Sequence, residues 1–186
     1  VSLHALCDGK TAKLFPSSQD HKRALDGDQG LNTGGMGTYS PVPFLSDEKL
    51  NEIANAVLEP WLAGCAAEGI DFRGMLYPGI MLTDDGPKVL EFNARFGDPE
   101  TQVYLPRLEN DLVDLFEASI DGTLDQHELR WSDQSAVCVV IASGGYPGSY
   151  EKGKVITGIA DADALPGVKV FHAGTKLDDG NVVNAG

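Results

Sequence analysis

Cationic side chains are scarce in this sequence: 14 Lys and Arg stand against 28 Asp and Glu, a formal net charge of −14 over 186 residues. Non-specific nucleic-acid binding rests on Lys and Arg neutralising phosphates, so the composition argues against that class, and an anionic membrane surface would repel the chain as well. Any phosphate-rich ligand has to be met by local cations, Arg residues or backbone N–H groups working against the general field. No apolar run reaches the length of a bilayer, and no signal-peptide pattern is present, so no membrane association is expected. Cysteine is sparse too. Cys7, Cys65 and Cys138 share no metal-type spacing and read as small hydrophobes in a reducing, cytoplasmic compartment.

Several catalytic patterns are also missing. His127-Glu128 lacks the second His of a zinc-hydrolase helix, and no Gly-x-Ser-x-Gly elbow surrounds Ser143-Gly144-Gly145. His4, His21, His127 and His172 are scattered. The Gly-rich stretch near residue 34 is followed by no Lys-Ser/Thr pair and fails G-x-G-x-x-G, which excludes a Walker loop and a dinucleotide fingerprint.

What is present is an ordinary globular composition, 42% hydrophobic and 23% charged, at a length that buries roughly 70% of the unfolded surface. Val1 to Leu6 reads as a strand, turned by Asp8-Gly9 into Thr11 to Phe15 as a hairpin. Ser46 is an N-cap with Asp47 and Glu48 behind it. Leu50, Ile53, Ala54, Val57, Leu58, Trp61 and Leu62 then mark one face of a helix, with a kink or broken turn expected at Pro60. Phe72 to Leu82 predicts a buried strand and Thr83 to Pro87 a turn. Lys88 to Asn93 then forms an antiparallel partner. Asn110 is expected to cap a second helix, with Leu112, Leu115, Phe116 and Ser119 to Ile120 inward and Gly122 as its stop.

After Gly122 the composition shifts. Ser135 to Ser143 is an apolar run of strand length, Gly144 to Gly148 a turn cluster, and short strands are expected at Lys154 to Ile159 and Val168 to Ala173. A final hairpin joins Thr175 to Leu177 with Asn181 to Val183. The expected organisation is α+β: an antiparallel sheet with packed helices over 1–122, a linker over 123–134, and a small, mostly β domain over 135–186. Both ends read as cuts through a longer protein, because strands there lack continuing partners.

The richest chemistry lies in Lys88 to Glu100. Alternation along a strand puts Glu91 and Asn93 on one face with Leu90 and Phe92 packed behind, so a carboxylate and an amide oxygen converge. Hard cations such as Mg²⁺ and Mn²⁺ take oxygen ligands of this kind together with substrate phosphates. Arg95 continues that face and suits a transferring phosphoryl group. A half-exposed edge strand with a polar face would show the same spacing. In the second candidate, Asn32 to Ser40, glycines let backbone N–H groups converge on an anion, as a plain surface turn also would. The third, Gln19 to Arg23, packs an acid, an imidazole and two cations together, as a solvated charged loop also does.

Gln19-Asp20-His21-Lys22-Arg23-Ala24, NTGGMGTYSP over 32–41, LEFNARFGDPETQ over 90–102 and Gly145-Tyr146-Pro147-Gly148 together resemble the phosphoribosylamine–glycine ligase (glycinamide ribonucleotide synthetase) family of ATP-grasp enzymes. The match runs through nearly the whole chain in one order. It implies a partial ATP-grasp domain followed by a small β domain, with the amino-terminal half of the protein lying outside this sequence. It also implies the substrates: ATP phosphorylates glycine, and 5-phosphoribosylamine attacks the acyl phosphate to give glycinamide ribonucleotide, ADP and phosphate. By the same resemblance Glu91 and Asn93 hold Mg²⁺ or Mn²⁺ and Arg95 is catalytic. Asp20, Lys22, Gly34, Gly35, Gly37, Asp98 and Glu100 are then weaker candidates for substrate or phosphate contacts. Many ATP-grasp enzymes carry another acidic metal ligand on the preceding strand. Tyr77 to Leu82 has none, which leaves water, phosphate, Asp84 or Asp85. Another ATP-grasp carboxylate–amine ligase, a biotin-dependent carboxylase and a non-catalytic binding module are the alternatives.

Overall fold

Asp8 and Gly9 reverse the chain where the sequence predicts it. The buried Asp8 carboxylate accepts the Lys10 and Thr11 N–H groups at 3.0 and 2.7 Å and the Leu124 N–H at 3.1 Å. Burial alone would raise its pKa, but these backbone donors outweigh it and hold the group below the usual carboxylate range. The turn joins β1 (Ala5–Asp8) to β2 (Ala12–Leu14) in antiparallel register. A computed structural model describes residues 1–186 as two units, Val1–Val140 and Ile141–Gly186.

In the first unit β3 (Gln19–Asp20) leads to a hairpin of β4 (Arg23–Leu25) and β5 (Gln29–Asn32), then to β6 (Gly37–Ser40). Helix α1 (Asp47–Ala67) follows, capped by Ser46, whose hydroxyl accepts the Lys49 N–H at 3.2 Å. It runs without a break through Pro60, so no turn is lost there. Strands β7 (Arg73–Thr83) and β8 (Gly86–Asn93) complete an antiparallel sheet of order β2-β1-β7-β8.

Each face of that sheet has its own core. On one, Leu50, Ile53, Ala54 and Leu58 of α1 cover Leu3, Ala5, Cys7, Leu76 and Ile80. Burying each large aliphatic side chain contributes about 1.5–3 kcal/mol. Cys7 there is inert, its thiol pushed up to about 12 by burial and the neighbouring Asp8 charge. On the other face Leu6, Phe15 and Met75 meet Tyr104 of α2 (Thr101–Tyr104), Leu115 and Ala118 of α3 (Leu112–Asp121), and Leu124.

Helix α3 is capped by Asp111 rather than Asn110. Asp111 accepts the Val113 N–H at 2.8 Å, while Asn110 ties down the loop opposite through Glu128 O (3.0 Å) and Arg130 N (2.6 Å). Gly122 ends the helix at φ +72°, a left-handed conformation that costs glycine little. Ile120 points outward, 67% exposed, because Ala118 and Ser119 take the inward positions; the Ser119 hydroxyl donates to Cys7 O at 2.5 Å.

Residues 123–134 do not hang free between domains. Ser132 N donates to Arg107 O, Glu109 N to Arg130 O, and Trp131 lies 4.9 Å from Phe15 edge to face. Strand β9 (Ala136–Val139), expected to open the second domain, pairs with β6 in a sheet of order β3-β6-β9. Backbone groups of β6 recruit it, a long-range choice that local sequence does not encode.

The second unit holds α4 (Ile159–Asp163) and the hairpin of β10 (Thr175–Asp178) with β11 (Asn181–Asn184). Strands expected at Lys154 to Ile159 and Val168 to Ala173 do not form. Val155 makes only an isolated bridge to Val183, Ala160 to Ala164 favour helix, and the Val170 N–H is taken by Asp163. Asn184 organises this unit, donating to Ser143 Oγ and Glu151 O and accepting from Lys154 N, each at 2.7 Å.

Candidate functional site

Strand register, more than motif spelling, determines which side chains meet. Tyr77 lies opposite Asn93 and Gly79 opposite Glu91, with a bulge at Leu90 because the next pair is Ile80 with Val89. On the other side of β7, Ser2 bridges to Gly79 and His4 stacks on Tyr77 with ring centroids 4.0 Å apart. Directly opposed residues share a face. One row across the sheet is therefore His4, Tyr77, Asn93, and the next is Ser2, Gly79, Glu91. The absence of a side chain at Gly79 leaves space over which Glu91 leans; a Cβ there would be 3.6 Å from Glu91 Cγ.

Glu91 and Asn93 thus point the same way, as expected. Their neighbours do not behave as expected: Leu90 and Phe92 are 64% and 50% exposed, because α1 covers β7 and leaves the outer strand β8 bare. Arg95 sits just past the strand end and is exposed; its Nη2 donates to Asn93 Oδ1 at 3.2 Å and its Nη1 to Phe96 O at 3.0 Å. Asn93 in turn donates to Tyr77 O at 3.4 Å.

Buried on the same face is a carboxylate. Glu100, 1% exposed, accepts the Tyr77 hydroxyl at 2.5 Å and the Ser2 hydroxyl at 2.8 Å on one oxygen. Burial, then the bond to this carboxylate, pushes the Tyr77 phenol up, so it remains a donor. His4 receives the Gly97 N–H on Nε2 at 3.1 Å and touches the Tyr104 hydroxyl with Nδ1 at 3.1 Å. Tyr104 lies 2.6 Å from Ser18 Oγ. Burial, then the Arg95 charge, pushes the His4 imidazole down to about 3.

The three sequence motifs converge here. Asp20, whose side chain is 2% exposed, pairs with Lys22 at 2.6 Å and receives a 3.4 Å contact from Thr38 Oγ1. Burial raises its pKa, the Lys22 bond opposes that, and the Glu100 charge adds to the rise. Gly35 presses on Asp20 and Pro99, which locks the Gly-rich loop to the loop after β8. The loop is not an open nest of amides: Gly35 N donates to Thr33 Oγ1, Met36 N to His21 O and Thr33 N to Lys22 O. Asp98 is exposed and accepts from Gln102 at 2.7 Å.

No group of three or more His, Cys, Asp or Glu is placed to cage a metal ion. Glu91 and Asn93 instead put two oxygens on one face, the partial donor set that suits a hard cation completed by water and phosphate oxygens, with Asn93 Oδ1 here accepting from Arg95. Asp84 and Asp85 do not join them, since the β7–β8 turn lies five or more strand residues away, on the order of 15–20 Å. Sequence reasoning missed Ser2, His4, Tyr77, Tyr104 and Ser18. The polar residues alternating with Leu3 and Ala5 were the available signal.

The family model of the phosphoribosylglycinamide synthetase ATP-grasp (A) domain matches residues 1–101, and that of the C domain of the same synthetase matches 136–186. A phosphoribosylamine–glycine ligase of Rhodopirellula baltica is 52% identical over 187 residues, covering all of this chain and 43% of the relative. A ligase of the same name from Brucella melitensis is 48% identical with 44% of it covered. The trifunctional purine biosynthetic protein adenosine-3 of Gallus gallus is 54% identical, with 18% covered. The crystal structure of phosphoribosylamine–glycine ligase from Thermotoga maritima superposes with a TM-score of 0.85 at 36% identity, over all of this chain and 45% of that one. An L-amino acid ligase from Bacillus licheniformis shares the fold at 14% identity and a TM-score of 0.57. The chain spans less than half the length of the ligases it matches. With the ATP-grasp (A) domain model matching more than half of its length and the C-domain model matching 136–186, this chain belongs to the phosphoribosylglycinamide synthetase family.

Proposed function

We propose that the protein to which this chain belongs joins glycine to 5-phosphoribosylamine at the expense of ATP, forming glycinamide ribonucleotide, ADP and phosphate for purine synthesis. The observation that carries this reading is the shared face of Glu91 and Asn93, with Arg95 hydrogen-bonded to Asn93, in a chain of this family. Carboxylates are poor electrophiles. Making glycine an acyl phosphate supplies a leaving group, and the protein's part is positioning and charge neutralisation.

Glu91 and Asn93 are assigned to Mg²⁺ or Mn²⁺, which when bound would offset negative charge on the ATP phosphates. Arg95 is assigned to the transferring phosphoryl group. Lys22 and Asp98 are assigned to the substrate side, Asp20 and Glu100, both buried, to holding Lys22 and the loop after β8 in place, and Gly34, Gly35 and Gly37 to the close approach of the Gly-rich loop. Residues 1–122 are taken as the ATP-grasp part, 123–134 as a connection packed on it and 135–186 as the C-domain part; the C-domain match beginning at 136 supports this division, whereas the two compact units divide after Val140 with β9 on the first. A cytoplasmic location is consistent with three free cysteines, and no helix is long and apolar enough to cross a membrane.

The test is glycine- and phosphoribosylamine-dependent ADP release by the protein produced at the length of its relatives. Glu91→Ala is expected to abolish it. Undiminished release in that variant would reject the metal assignment, and no release from the unsubstituted protein would reject the reaction.

A further inference from the structure

His4 is the one buried histidine of the chain, and the ligase reading leaves it without a role. It is fully enclosed, lies on the same sheet face as Glu91 and Asn93, and belongs to β1's amino-terminal extension rather than to any of the family motifs. Its ring is fixed from three sides. Tyr77 stacks on it at 4.0 Å with planes 19° apart, and Tyr104 stands edge-on at 4.9 Å. The third constraint is a hydrogen bond whose direction is certain, because a backbone N–H only donates: Gly97 N to His4 Nε2, 3.1 Å, across 93 residues of chain.

That bond sets the tautomer. With Nε2 accepting, the proton sits on Nδ1 and points at the Tyr104 oxygen, leaving the Tyr104 hydroxyl to donate to Ser18. A directed line therefore runs from Gly97 through His4 and Tyr104 to Ser18, with each buried polar atom matched. Gly97 lies in the segment after β8, two residues beyond Arg95 and one before Asp98. A Cβ on it would lie 3.0 Å from His4 Nε2 and 2.3 Å from Glu100 Oε2, so the backbone has approached as closely as glycine allows.

We propose that His4 is a positioning residue of the ligase reaction: by accepting the Gly97 N–H it fixes the Phe96-to-Glu100 loop and thereby the placement of Arg95 and Asp98. This rests on the ligase reading. Its chemistry is that of a neutral acceptor, which a protonated ring would turn into a donor opposing a donor. No other side chain is hydrogen-bonded to the Gly97 amide, so the start of the loop is tied to the sheet face through this acceptor, while Glu100, bonded to Tyr77 and Ser2, ties down its far end.

Two substitutions separate the tether from mere filling of space. In the protein at the length of its relatives, His4→Gln carries its amide group near the position of Nε2 and can still accept from Gly97. His4→Asn ends near Nδ1 and cannot. We expect kcat of His4→Asn to fall about tenfold or more below that of His4→Gln, with KM for ATP changed far less, since misplacement of reacting groups by a fraction of an ångström acts on turnover. Equal kcat values in two folded variants would overturn the proposal. Should His4→Asn fail to fold, amide hydrogen exchange over residues 96–100 of His4→Gln decides. Slow exchange with kcat kept, or fast exchange with kcat lost, supports it; either mismatch overturns it. If the unsubstituted protein releases no ADP with glycine, the ligase reading fails by itself and the proposal falls with it, whereas a failed variant comparison leaves that reading standing.

Discussion

Gly35 stands so close to Asp20 that a Cβ built on it would come within 2.6 Å of Asp20 Oδ1, and within 2.5 Å of the Pro99 ring on the other side. Neither neighbour has room to give, since Asp20 is held by Lys22 and Thr38 and Pro99 is buried. The backbone at Gly35 also has φ +136°, which disfavours any side chain. Gly35→Ala is therefore expected to cost about 2 kcal/mol of stability and to separate the two loops. Thermal unfolding checks the first, and loss of kcat in the protein at the length of its relatives checks the second.

Arg95 offers the opposite case. It is exposed and its hydrogen bonds run to Asn93 and the Phe96 carbonyl, so Arg95→Ala should change stability by less than about 0.5 kcal/mol. If it neutralises a transferring phosphoryl group, kcat falls by about 10²–10³. Steady-state kinetics beside a melting curve distinguishes the two effects.

Tyr77→Phe removes one of two hydroxyl donors to the buried Glu100 carboxylate. An acceptor stripped of its partner in the interior costs about 1–3 kcal/mol. The double variant with Glu100→Gln should recover part of that loss, because a neutral amide needs less help. Denaturant unfolding of the three variants measures the coupling.

His4 makes stability depend on pH. The unfolded histidine takes a proton near pH 6.5, whereas burial holds the folded one down to about 3. Between those values the unfolded chain binds more protons, so this contribution is intact above about pH 6.5 and is lost progressively as pH falls toward 3. His4→Gln should flatten the stability profile across that window. Urea unfolding at a series of pH values shows it.

What could be read in the sequence was local. The Asp8-Gly9 turn, the final hairpin from Thr175 to Val183, the Ser46 cap with its apolar face, and the Glu91/Asn93 pair each announce themselves within a few residues, through turn chemistry, helical spacing or strand alternation. What stayed hidden depends on partners far along the chain. Strand β9 chooses β6. Ser2 and His4 reach Glu100 and Gly97, and the bareness of Leu90 and Phe92 follows from where α1 ends its cover. The Asn110 cap was misplaced by one position because Asn and Asp compete for that role and only the loop opposite, at Glu128 and Arg130, decides between them.

The outer strand β8 carries Leu90 and Phe92 with 64% and 50% of their surface in water, along a backbone edge that no further strand of this sheet joins. Such a margin is adhesive: unsatisfied amides supply a template and greasy side chains supply the grip. Handled alone in dilute buffer, this stretch of polypeptide should stick to its own copies, and a single Lys in place of Leu90 should be enough to keep it dispersed.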